Sequence, residues 1–213
     1  MNYNYKKTNQ YLLLNTRPQD AKNLEALQRK VFPTLSAEEL ISEQHYLHHL
    51  EVFPEGQFVV MDGDRLIAMT STMRTNHALD EDHTFLEISD NLWLNTHDPR
   101  GVWLYGMDMG VDPEYRGQGI ARALYRARQE LCRKLGLKGQ FTVGMLNGYL
   151  PYRNELTIDE YGARVLSGEQ TDPTITPQQK IGFTLVRLMK NYLNDPQCGN
   201  AGVLMVLDAA KEV

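Results

Sequence analysis

Apolar residues recur along this chain at two spacings, one typical of helices and one typical of strands. Leu24, Leu27 and Val31 follow at helical spacing and predict a helix over 21–31. The pattern Ser-x-x-Glu that begins at Ser36 is a capping-box pattern, and it predicts that a second helix begins there. The full prediction, in order, is strand 11–17, helix 21–31, a helix from 37, strands 57–61, 66–72 and 102–111, helix 119–135, strand 140–146, helix 157–166, and strands 184–189 and 203–207. This order predicts a mixed sheet flanked by helices.

The most informative segment lies where the apolar strand 102–111 meets the following helix. From Val111 to Ala121 it is Val-Asp-Pro-Glu-Tyr-Arg-Gly-Gln-Gly-Ile-Ala. Glycine lets the backbone turn tightly and approach a ligand that a Cβ would hold off. The first amides of a helix have no partners within the helix and lie at its positive end. The segment therefore predicts an anion site suited to a phosphate or pyrophosphate.

Two other phosphate-binding motifs do not fit this segment. The dinucleotide pattern Gly-x-Gly-x-x-Gly would begin at Gly117, but Arg122 occupies its third glycine position. A bulky cation there would prevent the close contact of helix and strand that this glycine allows. The P-loop requires Gly-Lys-Ser/Thr, which does not occur in the chain. The pattern that remains is Arg-x-x-Gly-x-Ala over 116–121, and the alternative is an ordinary strand–turn–helix with a capping glycine.

Composition and charge narrow the class of protein. The chain has 213 residues, of which 42% are hydrophobic and 23% charged, with a net charge of −5; this is typical of a globular domain with a sizeable core. It has no block of Lys and Arg, so no nucleic-acid partner is expected. No apolar run reaches the ~18 residues of a membrane span, and the polar N-terminus shows no secretory signal. Cys132 and Cys198 form no Cys-x-x-Cys motif, so we expect reduced thiols in a cytoplasmic protein.

The segment 116–121 resembles the acyl-coenzyme A loop of the GNAT N-acetyltransferases, Gln/Arg-x-x-Gly-x-Gly/Ala. The strand before it, the lead-in Val-x-Pro-x-Tyr-Arg-Gly and the helix after it resemble the same family, as does Ile181-Gly182-Phe183. The chain also resembles acetyltransferase modules that are fused to nitrilase-like hydrolases. The resemblance implies the GNAT acyl-CoA N-acyltransferase fold, an α/β fold with a central mixed sheet. It further implies one domain over 1–213, with its core at 11–207 and an insertion at 155–180, after the fifth strand.

The same resemblance implies an activity and a set of cofactor residues. The activity is transfer of an acetyl group from acetyl-CoA to a primary amine, by direct attack in a ternary complex and without a metal. Loop amides would bind the pyrophosphate, and backbone groups of the central strand would bind the pantetheine arm. The implied cofactor residues are Met109, Val111, Arg116, Gly117, Gln118, Gly119, Ile120, Ala121 and Asn147; for Asn147 the alternative is plain turn chemistry.

The proton-handling residues are harder to assign. Many members of the family use a tyrosine after the next strand to protonate the leaving thiolate, and Tyr149 and Tyr152 lie in that region. Neither lies at the usual spacing; Tyr152 is the preferred candidate, and simple packing of both tyrosines is the alternative. Asp108, on the central strand, is a candidate to relay a proton from the amine, and an ordinary strand residue is the alternative.

Three hypotheses for the function remain open at this point. The first is the N-acetyltransferase, whose acceptor is an amine of a small molecule or a peptide that contacts the loops at 35–57 and 76–99. The second is a non-catalytic acyl-CoA-binding or regulatory domain, and the third is a structural α/β domain in which the loop is incidental. The oligomeric state, a homodimer included, is also open.

Overall fold

The computed structural model describes residues 4–8 and 11–213, with side chains from residue 11 onward. The strands of this part of the chain are β1 (Asn4–Thr8), β2 (Tyr11–Asn15), β3 (Phe58–Asp62), β4 (Arg65–Thr70), β5 (Thr72–Thr75), β6 (Trp103–Gly106), β7 (Gly110–Val111), β8 (Gly139–Met145), β9 (Thr184–Met189) and β10 (Gly202–Asp208). Its α-helices are α1 (Ala21–Val31), α2 (Glu43–Val52), α3 (Phe85–Ser89), α4 (Ile120–Lys134), α5 (Ile158–Ser167) and α6 (Ile175–Ile181).

The strands pair in two five-stranded sheets, in the orders β1-β2-β3-β4-β7 and β5-β6-β8-β10-β9. The pair β6–β8 is parallel, and the other neighbouring pairs are antiparallel. Ser71 alone separates β4 from β5, and residues 107–109 separate β6 from β7. The two sheets are therefore joined by two adjacent chain segments and diverge from each other there. The fold is the mixed α/β arrangement that the sequence predicted.

Helices cover both faces of the sheets. A Cβ on Gly110 would come 2.8 Å from the Val31 side chain of α1, whereas a Cβ on Gly106 would overlap the Arg128 guanidinium of α4. One buried apolar cluster accordingly gathers around α4, with Leu104 of β6. Tyr105, the next residue of β6, belongs to the second cluster, which includes the apolar side of α1. Neighbouring residues of a strand point to opposite faces, and this alternation gives the layers their order.

The predicted start of the second helix was wrong. Ser36 precedes only a short 3₁₀ turn (Ala37–Glu39), and α2 begins at Glu43 after the N-cap Ser42. The Ser42 hydroxyl accepts from the His45 amide, and the Ser42 amide donates to the His45 ring, so a histidine takes the place of the usual Glu. Glu39 binds the distant Asn194 amide at 2.7 Å, which no local pattern predicts.

Other differences concern shorter elements. The predicted strand 102–111 is two strands, β6 and β7, that belong to different sheets. Neither β1 nor α6 was predicted. The helix predicted at 157–166 is present as α5, with Thr157 and Glu160 forming its capping box. The predicted insertion 155–180 therefore contains α5 and most of α6.

Candidate active site

The central strand separates from β8 directly after Gly106. β6 pairs with β8 as far as Gly106 and Thr142, whereas β7 pairs with β4 from Gly110 and Met69. Since Gly106 pairs with Thr72 on the other edge, the three residues 107–109 lie opposite the two residues 70–71. This is a β-bulge, which bends the strand that carries the extra residue. The result is an opening between β7 and the end of β8.

Backbone groups of the central strand face this opening. The amide of Asp112 donates to the Ile67 carbonyl at 2.8 Å, so it points towards β4. Backbone groups alternate in direction along a strand, so those of Val111 point the other way, into the opening. The Asp108 carbonyl accepts from the Thr70 hydroxyl at 2.6 Å, so the Met109 amide, on the opposite side of the same trans peptide, points away from Thr70. The Val111 carbonyl accepts from Nε of Arg116 at 3.3 Å. The amides of Met109 and Val111 are thus placed to donate to a ligand in the opening.

Asp108 fixes the bulge from inside the protein. Its Oδ1 accepts from the Ser71 amide at 2.5 Å, and its Oδ2 accepts from Gln28 of α1 at 2.6 Å and from the Tyr46 hydroxyl of α2 at 3.2 Å. The side chain is buried, and this burial raises the pKa of the Asp108 carboxyl above its ordinary value. Oδ2 therefore joins two helices to the bulge, while Oδ1 joins the bulge to the residue between β4 and β5.

Arg128 of α4 holds the bulge from the opposite face. Its guanidinium donates to the Thr70 hydroxyl and to the Asp108 backbone carbonyl, and it lies over the Tyr125 ring with its central carbon 5.5 Å from the ring centre. The side chain is 1% exposed, and burial lowers its pKa. Gly106 is required here because the guanidinium occupies the space of a Cβ at that position.

The loop after β7 leads directly into α4. Gly117 and Gly119 have φ of 76° and 78°, and no atom lies within 4 Å of the Cβ positions that they lack. This left-handed backbone favours glycine, and the open space leaves room for a ligand against the loop. Ile120 and Ala121 begin α4, so their amides are among those that find no partner within the helix. The Gln118 side chain accepts from the Tyr11 hydroxyl at 2.6 Å, which ties the loop to β2.

Ion pairs fix the start of this loop. Oδ1 of Asp112 lies 2.8 Å from Nζ of Lys30, and Oδ2 lies 2.9 Å from Arg65. Glu114 pairs with the same two cations at 3.4 and 2.8 Å. Since the Asp112 carboxylate is 4% exposed, water weakens these pairs less than it would on the open surface. The loop therefore enters α4 from a fixed position.

The candidate site residues that follow β8 form hydrogen bonds with the segment 155–180. The Tyr149 hydroxyl donates to the Leu156 carbonyl at 3.0 Å, whereas the Tyr152 hydroxyl accepts from Gln170 at 3.3 Å. Asn147 donates to the Thr174 hydroxyl at 2.7 Å. The two tyrosines therefore use their hydroxyl groups in opposite senses.

A strap formed by residues 32–36 crosses the α1 side of the molecule from the central strand to the β9–β10 connection. It begins next to Val31, which packs over Gly110. At its far end the Thr34 hydroxyl donates to Asp195 at 2.7 Å, and the Ser36 amide donates to the Asn194 carbonyl at 3.0 Å. The strap therefore links the end of α1, which packs over Gly110, to the β9–β10 connection.

Sequence reasoning missed several residues around the opening. Arg128 shares a helical stripe with Leu124, Leu131 and Leu135, and a cation at such a position is the only signal in the sequence that it does more than pack. Gln28 and Tyr46 lie on α1 and α2, far from Asp108 in the sequence, and no spacing connects them. In residues 4–8 and 11–213 no helix is both long and apolar enough to cross a membrane, and no three metal-binding side chains converge.

Comparison with known sequences identifies related proteins. A model of the acetyltransferase (GNAT) family matches residues 21–149. An uncharacterized N-acetyltransferase of Bacillus subtilis (strain 168), YkwB, is 31% identical over 188 residues, which are 87% of this chain and 83% of that protein. The probable hydrolase YhcX of the same organism is 35% identical over 185 residues, which are 86% of this chain and 36% of that protein. The chain thus spans about a third of the length of this longer relative.

Comparison with solved structures shows the same fold. The GphF GNAT-like decarboxylase in complex with isobutyryl-CoA superimposes with a TM-score of 0.78 at 20% identity, covering 92% of this chain and 98% of that one. The ribosomal-protein-S18-alanine N-acetyltransferase from Escherichia coli gives a TM-score of 0.59 at 12% identity, covering 95% and 96%. At these identities the likeness is one of fold, and function has to be argued from the site.

Proposed function

Because the chain belongs to the acetyltransferase (GNAT) family, we propose that it transfers an acetyl group from acetyl-CoA to a primary amine, by direct attack in a ternary complex. The observation that carries the proposal is the opening between β7 and β8, which lies beside a glycine loop and the first amides of α4. An acyl-coenzyme A needs both features, because its pyrophosphate is anionic and its pantetheine arm is an extended amide chain.

The loop fits a pyrophosphate. Gly117 and Gly119 leave space against the backbone, and α4 begins at Ile120 and runs for 15 residues, so its positive end lies at the loop. Arg116 is exposed next to these glycines and adds a positive charge. In this proposal the amides of 117–121 bind the pyrophosphate, because the Arg116 amide already donates to the Pro113 carbonyl at 3.4 Å.

The opening then positions the reacting group. Acetyl-CoA supplies the acyl group as a thioester, and the amides of Met109 and Val111 are positioned to donate to its carbonyl oxygen. Fixed donors of this kind stabilise the negative charge that develops there during transfer. Asp108 and Arg128 hold the bulge that carries these amides, and this positioning is the role we propose for Asp108 in place of a proton relay.

Tyr152 is the proposed acid for the leaving thiolate. Its hydroxyl accepts a hydrogen bond from Gln170, so its own proton is free to be donated. Tyr149 gives its proton to the Leu156 carbonyl and is the weaker candidate. Asn147 can bind the pantetheine arm once its amide releases the Thr174 hydroxyl.

Calorimetric titration of acetyl-CoA tests the cofactor site. We expect Gly119→Leu to abolish binding, because the side chain fills the space in front of the loop and strains the left-handed backbone. Gly168→Leu is the matched control: Gly168 has φ 83° and ψ 4°, close to 78° and 6° at Gly119, and it also has no atom within 4 Å of a Cβ.

Both variants should lose about 1–2 kcal/mol of stability from the backbone strain, and only Gly119→Leu should lose the ligand. Retained binding in Gly119→Leu would refute the loop assignment. Thiol release from acetyl-CoA with a panel of primary amines then separates a transferase from a domain that only binds acyl-CoA.

A further inference from the structure

A cleft of about 290 Å³ lies between the 3₁₀ turn Ala37–Glu39, the start of α3 and the β9–β10 connection. Its lining includes Glu39, Leu86, Tyr192, Leu193 and Asn200. These residues come from three distant parts of the chain. Two of these parts lie within the loops 35–57 and 76–99, which the sequence predicts to contact the acceptor. No Lys, Arg or His belongs to the lining, so the cleft offers an anionic ligand no charged partner.

Glu39 contributes a carboxylate to this cleft, and one of its two oxygens accepts no hydrogen bond from the part of the protein that the structure describes. The residue is 5% exposed. The Ser36 hydroxyl and the Asn194 amide both donate to Oε2, at 3.0 and 2.7 Å. Within residues 11–213 no hydrogen bond or ion pair reaches Oε1. Oε1 is therefore available to accept a hydrogen bond from a cation in the cleft.

The cleft also has apolar lining, from the side chains of Leu86 and Leu193. A carboxylate oxygen without a partner in a partly apolar cleft matches a ligand that has an ammonium group on a short alkyl chain.

We propose that this cleft binds a second, protonated amino group of the acceptor, with Glu39 as its ion-pair partner, so that the substrate class is a small diamine. The inference rests on the proposed transferase function, since it names the acceptor of that reaction. The strap connects the two regions: it begins beside Gly110 at the opening and ends at Asn194, which donates to Glu39. One amino group would be held at Glu39 while the other, deprotonated, attacks the thioester carbonyl.

Glu39→Gln is a conservative test of the ion pair. The amide oxygen of glutamine can accept from Ser36 and Asn194 as Oε2 does, and its NH₂ group would replace the free oxygen with a donor. Glu38→Gln is the matched control, because it removes the same charge from the adjacent exposed position. The probes are 1,4-diaminobutane, 1-aminobutane, which lacks the second cation, and 4-aminobutanoate, which replaces it with an anion.

Binding to the protein saturated with coenzyme A is measured by calorimetry, which needs no turnover. We expect wild type and Glu38→Gln to bind 1,4-diaminobutane about tenfold or more tightly than either other probe, and Glu39→Gln to lose this preference. An unchanged preference in Glu39→Gln, or an equal loss in Glu38→Gln, would overturn the assignment. Glu39-dependent binding without thiol release from acetyl-CoA would support the cleft and refute the transferase function instead.

Discussion

At the scale of single residues, the two tyrosines after β8 differ in the one property that an acid needs. Both rings lie 5.5 Å from the ring of Tyr161, so their packing is alike. The Tyr149 proton is used in a hydrogen bond to Leu156, whereas the Tyr152 oxygen accepts one from Gln170. The direction of these hydrogen bonds, rather than sequence spacing, favours Tyr152.

This difference gives a paired prediction. We expect Tyr152→Phe to lower kcat by about 10²-fold or more, the lower end of the range for general acid catalysis, with unchanged affinity for acetyl-CoA. Tyr149→Phe removes a hydroxyl from the same cluster and should leave kcat within about threefold. Both are measured by thiol release with the fastest amine of the panel. Equal kcat in wild type and Tyr152→Phe would remove Tyr152 from the mechanism.

Single residues also show how far sequence could predict the site. Gly117 and Gly119 were identifiable because their role is local: the turn they make depends on their own backbone angles. Asp108 was noticed as a carboxylate on the central strand, but its partners Gln28 and Tyr46 are 80 and 62 residues away. Glu39 was assigned to a helix cap, because the local Ser-x-x-Glu pattern carries no information about the distant Asn194 that it binds.

At the scale of elements, the central strand and α4 depend on each other. The Arg128 guanidinium reaches the bulge through the space that Gly106 leaves, and there it donates to Thr70 and to the Asp108 carbonyl. Hydrophobic periodicity predicted α4 closely and placed one strand over the residues that form β6 and β7. It could not predict that the strand divides, because the division depends on which neighbour each half pairs with and not on its own composition.

A double-mutant cycle tests this dependence. We expect Gly106→Ala to destabilise the protein by about 1–3 kcal/mol, the range for overpacking, because the new Cβ and the guanidinium cannot share the space. Arg128→Met removes the guanidinium, so Gly106→Ala should cost at least about 1 kcal/mol less in that background. Unfolding in urea gives the four free energies. Additive costs would show that Arg128 is not what requires a glycine at 106.

At the scale of the whole molecule, the candidate site combines several segments that lie far apart in the sequence. The opening comes from the divergence of two sheets, the anion site from the loop and α4, and the cleft from the 3₁₀ turn Ala37–Glu39, α3 and the β9–β10 connection. The order of elements was predictable from periodicity and from the family resemblance. The cleft was not, because its lining depends on tertiary contacts between segments such as Ser36 and Asn194.

Two buried histidines make the stability of the whole molecule depend on pH. His49 is 0% exposed and its Nε2 donates to the Leu92 carbonyl at 2.6 Å, and burial lowers its pKa to about 4. Burial also lowers the pKa of His83 to about 4. In the unfolded chain a histidine has a pKa of about 6.5. Between these values the unfolded state binds protons that the native state does not, so acid favours unfolding.

We therefore expect the free energy of unfolding to fall as pH decreases from about 6.5 to 4, by an amount on the order of 3 kcal/mol for each histidine. Asp108 acts in the opposite sense, because its raised pKa makes the native state hold a proton more tightly over the acidic range. The comparison that isolates the histidines is urea unfolding of wild type and of His49→Gln/His83→Gln at several pH values. In the double variant most of the decrease in the free energy of unfolding between pH 6.5 and 4 should disappear. Asp108 still titrates in this variant, so acidification should make the variant more stable relative to wild type at the same pH. An equal decline in both proteins would show that other groups control the acid transition.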